Sequence, residues 1–424
     1  MENMSLEYAR SLDNEDKLRK YRDRFYLKES EIYMDGNSLG LLSKDAEDSL
    51  LRVLNEWKNL GINGWGGAQV PWFYFAENLA KLQAPLMGAL DTELIIHSSS
   101  TINLHSILNT FYRPSKNKYK IMIDSLNFPT DRYAVESHLK SRDLNPSEYL
   151  AIIESKDGNT LDEDYIISQM SDDTALILLP GVLYRSGQLI NMERLTAEAH
   201  KKDIIIGFDC CHSAGSVPHE LNKWNVDFAF WCNYKHFNNG PGGTASLYIN
   251  EKHLGKGPGM AGWFGYEKSK QFDLAQEFVP ANTAGAWQVG TPHLLSMAPL
   301  EGSLKLFNEA GMENIREKSL KLTSYLMMLI ENNLSEYGFK IGTPKEEHKR
   351  GGHVALQHDD AVKINEVLKK KGVLPDFRYP DVIRLAPVSL YTSFEEVWRV
   401  VDIIKAIMIS GEYKNYSSER GTIA

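Results

Sequence analysis

Lys235 is the residue whose setting promises chemistry. It closes the apolar run Phe230-Trp231-Cys232-Asn233-Tyr234, and after His236 and Phe237 comes the turn Asn238-Asn239-Gly240-Pro241-Gly242-Gly243. A buried strand that ends at an amine just before a glycine-rich turn fixes that amine in space. Imine chemistry asks for this arrangement, because an amine becomes nucleophilic when burial and neighbouring positive charge disfavour its protonated form. A strand-end lysine is also an ordinary surface residue, so its surroundings must decide. Upstream, Ile204-Ile205-Ile206-Gly207-Phe208 reads as a buried parallel-type strand that delivers Asp209 at its carboxyl end, where open α/β sheets bind ligands.

An aspartate for a pyridinium nitrogen, followed by a lysine that carries the cofactor, is the pattern of pyridoxal-phosphate enzymes of the aspartate-aminotransferase type. The runs Asp209-Cys-Cys-His212-Ser-Ala-Gly-Ser-Val, Trp231-Cys-Asn-Tyr234-Lys235 and Ala261-Gly-Trp263-Phe-Gly resemble kynureninases. The likeness extends from Tyr33-Met-Asp-Gly-Asn-Ser-Leu-Gly40 to Tyr391-Thr-Ser-Phe394, nearly the whole chain. It implies a fold-type I α/β architecture, with a large domain on a mainly parallel sheet and a smaller C-terminal α/β domain. It also implies pyridoxal 5'-phosphate as cofactor, a homodimer with shared active sites, and hydrolytic Cβ–Cγ cleavage of L-kynurenine to anthranilate and L-alanine.

The elements that would position these groups follow from pattern. Residues 5–28 read as a charged helix, broken at Asp35-Gly-Asn-Ser-Leu-Gly40, and an N-terminal segment is expected over 1–43. Helical patterns at 44–59 and 73–87 flank the glycine-rich stretch 61–68, which reads as a loop. Strands at 93–97, 119–124, 149–154 and 174–179 alternate with helices at 102–112, 133–141, 161–170 and 192–202, which predicts parallel βαβ units over a large domain at 44–298. From 299 a long helix to 334, a strand at 352–357 and helices at 361–371 and 394–409 predict the smaller domain, with a polar, mobile tail beyond Gly411.

Several side chains gain a role when set in this frame. Ser100 and Thr101 open a helix after a strand, where hydroxyls, free N–H groups and the helix dipole suit a phosphate; hydroxyls there are also ordinary N-caps. The resemblance puts Ser100 and Thr101 at the phosphate, Phe128 on the cofactor ring, and Asp131, His212 and Trp263 around it. Thr291 is implied as a phosphate contact supplied across the dimer. Arg384 is implied as the clamp on the substrate carboxylate, with the fork geometry of a guanidinium. Tyr234 is the candidate proton relay beside Lys235 and Asp209, and Asn37 lies in a turn that approaches the substrate. Relatives that favour 3-hydroxykynurenine tend to carry histidine, serine and asparagine where this chain has Trp65, Gly290 and Thr291, so the resemblance implies kynurenine as the better substrate. Pro180 stands where some relatives have a serine that touches the cofactor.

Composition narrows the alternatives. The 424 residues exceed one ordinary core, and 42% hydrophobic with 24% charged residues describe a globular protein. A formal charge of -9 without basic runs argues against a nucleic-acid partner. The charged N-terminus and the lack of any run of roughly 20 apolar residues predict no membrane span and a cytoplasmic protein. The three cysteines, Cys210, Cys211 and Cys232, sit beside strands, which speaks against a disulfide framework, and adjacent strand residues face opposite ways, which speaks against a metal cluster. The same placement disfavours a cysteine desulfurase, which needs a mobile loop cysteine. A class-V aminotransferase or a non-catalytic protein of this fold are the remaining alternatives.

Overall fold

The computed structural model describes residues 2–417 and 419. Along the chain the elements begin with α1 (Leu6–Glu15), β1 (Ile32–Tyr33), α2 (Lys44–Leu60), α3 (Gly64–Gly67), α4 (Phe75–Gln83), β2 (Leu94–Ile96) and α5 (Ser100–Phe111). There follow β3 (Lys120–Asp124), α6 (Pro129–Lys140), α7 (Pro146–Tyr149), β4 (Leu150–Ile153), α8 (Glu163–Gln169) and β5 (Thr174–Pro180). Next come α9 (Met192–His200), β6 (Ile205–Asp209), β7 (Phe228–Trp231), β8 (Ser246–Ile249), α10 (Leu294–Ala310) and α11 (Met312–Asn333). The chain ends with β9 (Lys340–Ile341), β10 (Val354–Gln357), α12 (Ala361–Lys370), β11 (Val373–Leu374), β12 (Asp376–Arg378), β13 (Val382–Leu385) and α13 (Phe394–Ser410).

Seven strands form the large sheet in the order β2-β8-β7-β6-β5-β3-β4. The five strands from β7 to β4 run parallel, and β8 is antiparallel to both its neighbours. The parallel strands are continuous apolar runs because both faces are covered; every residue of β5 is buried. A second sheet, β12-β13-β10-β9, is antiparallel. It carries its own core with α11, α12 and α13, centred on Leu326, Ile364, Ile383 and Val400.

Helix α10 belongs to the first core through Met297, Leu300 and Leu304 and packs on α2. The boundary expected at 299 therefore falls inside a helix of the large body. The single long helix expected from 299 to 334 is two helices, since Gly311 adopts φ +80°, outside the helical region. Residues 5–28 do not form one helix either: α1 stops at Glu15, where the Asp16 carboxylate accepts from Leu18 N (2.9 Å) and pairs with Lys318 Nζ (2.6 Å). The stretch 61–68, expected as a loop, is a helical turn followed by α3. Beyond Gly411 the chain is anchored by the buried Tyr413 in the second core and by Glu412 on Lys371 (2.9 Å); the rest of the expected mobile tail, Ser418 and 420–424, lies outside the described residues.

The N-terminal segment ties the two bodies together. Ile32 and Tyr33 pair with Val373 and Leu374, and Ala9 and Met34 enter the second core, while Gly40 N donates to Tyr234 O (2.8 Å) in the first. A Cβ at Gly40 would stand 2.5 Å from Lys235 O and 2.0 Å from Asn238 Oδ1, so only glycine lets this segment close on the lysine turn.

A buried carboxylate pins the opposite end of β6 and β7. Asp227 is hydrogen-bonded to Ile206 N (2.8 Å), His200 Nε2 (2.9 Å) and His253 Nε2 (2.8 Å) and pairs with Lys252 Nζ (2.8 Å). Although burial opposes its charge, bonds from His200, His253 and Ile206 hold the carboxyl well below the usual range. A depressed folded value means stability that is complete above the ordinary carboxylate range and lost as pH falls toward the depressed value. Asp227→Ala should lower stability by about 3 kcal/mol at neutral pH, and its gap to the parent in urea unfolding should shrink below about pH 4. A gap that is constant with pH would assign the loss to packing.

Candidate active site

At the carboxyl ends of β5, β6 and β7 lies a cavity of about 250 Å³ lined by residues from both bodies, among them Asn37, Ser100, Phe128, Asp131, Tyr184, Asp209, His212, Tyr234, Lys235, Arg378 and Arg384. The parallel strands bring its groups together. Asp209 pairs in register with Pro180 on one side and Phe230 on the other, so Asp209 and Lys235 reach the same cavity from neighbouring strands.

Lys235 Nζ lies 3.1 Å from His212 Nε2 and 5.9 Å from the centre of the Phe128 ring. Burial, then Lys235 and Arg384, hold His212 far below the usual histidine value, so its neutral ring accepts from the lysine through Nε2. The proton is then on Nδ1, which is buried without a partner. Asp209 Oδ1 accepts from Cys211 N (2.8 Å). Asp131 accepts from Asn127 Nδ2 (2.9 Å), and burial with the facing charges of Asp209 and Asp124 pushes its carboxyl well up. Asp124, at the end of β3, is pushed up to about 7 by burial. Burial and the Cys232 sulfur also push the Tyr234 phenol up.

Ser100 and Thr101 form the first turn of α5, which Ser99 caps by accepting from Ile102 N (3.4 Å). Thr101 Oγ1 lies 3.3 Å from Thr130 Oγ1, so three hydroxyls gather at this helix start. Arg384, on β13, is fully buried and lies opposite Asp376 on β12. Its guanidinium is bonded to Asp376, to Tyr184 O (2.7 Å) and to Ser38 Oγ (2.9 Å), which fixes the fork at the wall of the cavity.

Four of the residues singled out from sequence are not brought to this cavity by their own chain. Trp65 packs edge-on against Trp72 (6.0 Å) and tilted against Phe264 (6.0 Å). Trp263 leans on Phe264 and Phe272 and is 47% exposed, and Gly290 and Thr291 are exposed. Pro180 closes β5 and offers no side-chain donor. Conversely, sequence reading missed Tyr184, Thr130 and Arg378. Tyr184 follows the end of β5 and meets Phe128 edge-on (5.3 Å), a place that the strand-end rule would have found. Arg378 shares a face of β12 with Asp376, its partner at 3.0 Å, but nothing local marked that short strand.

The donors fit pyridoxal phosphate. Buried polar atoms without partners, Asn37 Oδ1 and Nδ2, Asp131 Oδ1 and His212 Nδ1, belong to residues of the cavity, as expected where a polar ligand completes the bonding. The two buried carboxyls Asp131 and Asp209 would suit a cationic ring N–H, Phe128 offers a flat face, and the start of α5 suits an anion. Among the described residues no group of histidine, cysteine and carboxylate side chains is arranged for a metal, and no helix is long and apolar enough to cross a membrane.

Comparison with known proteins agrees with this chemistry. By fold, the chain superposes with a TM-score of 0.78 on the apo cysteine desulfurase of Thermococcus onnurineus NA1, at 17% identity, covering 92% of this chain and 98% of that one. It superposes equally, 0.78 at 16% identity over 90% and 98%, on a C-DES mutant with glycine covalently linked to its PLP cofactor. By sequence, residues 315–404 match the profile described as the kynureninase C-terminal domain. The chain is 55% identical over 420 residues to a kynureninase of Geobacillus thermodenitrificans (strain NG80-2), covering 99% of this chain and 98% of that one. It is 54% identical over 418 residues to a kynureninase of Bacillus mycoides (strain KBAB4), with the same coverage. A fold shared with desulfurases, and identity above one half along nearly the full length of kynureninases, leave one conclusion: this chain belongs to the kynureninase family.

Proposed function

We propose that this protein is a pyridoxal-phosphate-dependent hydrolase that cleaves the Cβ–Cγ bond of L-kynurenine, giving anthranilate and L-alanine. The observation that carries the reading is the convergence of Lys235, Asp209 and Arg384 on one cavity beside the hydroxyls of α5. Incubation with L-kynurenine should release anthranilate, read by its fluorescence, and alanine in equal amounts. No anthranilate from kynurenine, with alanine and sulfide released from cysteine instead, would return the desulfurase reading.

When bound, the cofactor supplies an electron sink for negative charge at the substrate α-carbon. Asp209 holds a proton at the cofactor's ring nitrogen, which keeps that sink effective. Ser100 and Thr101 seat the phosphate, Phe128 covers the ring, and Asp131 and His212 fix its polar edge. Arg384 presents its guanidinium charge to the substrate carboxylate, and Asn37 and Ser38 close that end of the cavity. Lys235 takes the α-proton. Cleavage needs water added to the aryl ketone, and Tyr234, whose high phenol pKa keeps it protonated, moves a proton between that site and solvent.

The exposure of Trp263, Gly290 and Thr291 supports a homodimer in which each subunit completes the other's site. Three free, buried cysteines suit a reducing cytoplasm.

Substrate choice follows from Trp65, Gly290 and Thr291. Gly290 has no side chain and the Trp65 indole can donate but not accept, so neither takes the proton of a ring hydroxyl, and a desolvated hydroxyl without a partner costs on the order of 1–3 kcal/mol. Kynurenine should therefore show a kcat/KM about 10-fold or more above that of 3-hydroxykynurenine. Side-by-side progress curves decide it, and a preference for the 3-hydroxy compound would remove these residues from the substrate's ring.

A further inference from the structure

Cysteines buried beside strands are as a rule inert packing residues. Two of the three here differ. Asp209 on β6 pairs with Phe230 on β7, so Cys211 and Cys232, each two residues further, come side by side past the strand ends. Cys211 Sγ donates to Cys232 Sγ at 3.5 Å, Cys232 N donates to Cys211 Sγ at 3.3 Å, and both side chains line the cofactor cavity. Cys210 is buried outside that lining, and no metal cluster among the described residues accounts for the pair.

We propose that Cys211 and Cys232 are a reversible oxidation site, closed to a disulfide by hydroperoxides that enter the cofactor cavity and shielded when that cavity is filled. Cys232 is the first nucleophile. The Cys211 hydrogen bond and the Lys235 charge lower its thiol against the cost of burial, whereas Cys211 is held well up. The Cys232 thiolate attacks one peroxide oxygen, the O–O bond breaks, and with one proton the other oxygen leaves as alcohol or water, giving a sulfenic acid. Cys211 sulfur then attacks Cys232 Sγ, the S–O bond breaks, and the hydroxide leaves with the Cys211 proton as water. Two thiols are oxidised by two electrons and one hydroperoxide is reduced. The bridge draws Cys232 Sγ from Ser100 Oγ, now 3.4 Å away, and constrains the backbone three residues before Lys235, so the oxidised chain should hold cofactor more weakly. The thiol chemistry does not depend on which amino acid is the substrate.

The test uses the full-length chain, cofactor-loaded and cofactor-stripped, treated with hydrogen peroxide and read by intact mass, thiol titration and peptide mapping. In the stripped protein the expected result is a loss of two hydrogens, one surviving thiol and a Cys211–Cys232 cross-linked peptide, all reversed by dithiothreitol. The loaded protein should react about 10-fold or more slowly, and the oxidised chain should retain less added cofactor by absorbance. Cys210→Ser should keep the cross-link. Oxygen addition at Cys232 without a cross-link, a cross-link through Cys210, or equal rates with and without cofactor would each overturn the proposal.

Discussion

Lys235→Ala is expected to leave a folded protein that seats the cofactor without covalent attachment and has lost about 10³-fold or more in kcat. The size follows from the loss of both roles proposed for Lys235 at once, the amine that holds the cofactor and the base that takes the α-proton. The fold should survive because Lys235 is half-buried, its side chain makes a single hydrogen bond among the described residues, to His212 Nε2, and the turn around it is held by backbone bonds such as Gly40 N to Tyr234 O. Borohydride should fix the cofactor to the parent and not to the variant, and a small added amine should return part of the rate. More than a few per cent of parental turnover without added amine would assign the base elsewhere.

Arg384→Lys carries the second-largest expected effect, a fall of about 10²- to 10³-fold in kcat/KM, equivalent to about 3–4 kcal/mol. Lysine keeps the charge and loses the planar fork. The buried setting sharpens the expectation, since the present guanidinium spans Asp376, Tyr184 O and Ser38 Oγ, and an ammonium cannot meet all three while also gripping a carboxylate. Cofactor absorbance should be unchanged, because none of those partners is among the hydroxyls at the start of α5. The KM for kynurenine should rise more than kcat falls. Unchanged kcat/KM would move the carboxylate seat to Arg378, the other guanidinium on the cavity.

The chemistry of the site was legible because it is written in short contiguous runs. A strand that must be buried on both faces is apolar throughout, so the passages ending in Asp209 and Lys235 announced both the strands and what stood at their ends. The same holds for the serines and threonine at the start of α5, where capping and anion binding draw on one set of free N–H groups. The helix limits were less legible: the break at Gly311 and the stop at Glu15 rest on a backbone angle and on a carboxylate paired with a lysine some three hundred residues away.

Sequence by itself determined the family and singled out Lys235 and Asp209 as the candidates for its chemistry, since identity of residues along strands and turns needs no knowledge of where those strands lie. Tertiary structure decided what surrounds them. Only the pairing of β12 with β13 sets Asp376 against Arg384, and only the crossing of the N-terminal segment between two cores brings Asn37 and Ser38 to the same cavity. Only the register of β6 with β7 turns two cysteines from separate strands into a touching pair. Only the fold shows that Trp65 and Trp263 pack away from their own chain's cavity. The physical reason is common to all four: these contacts are set by how strands pair and elements pack, through distances and burial that no local pattern of residue types encodes.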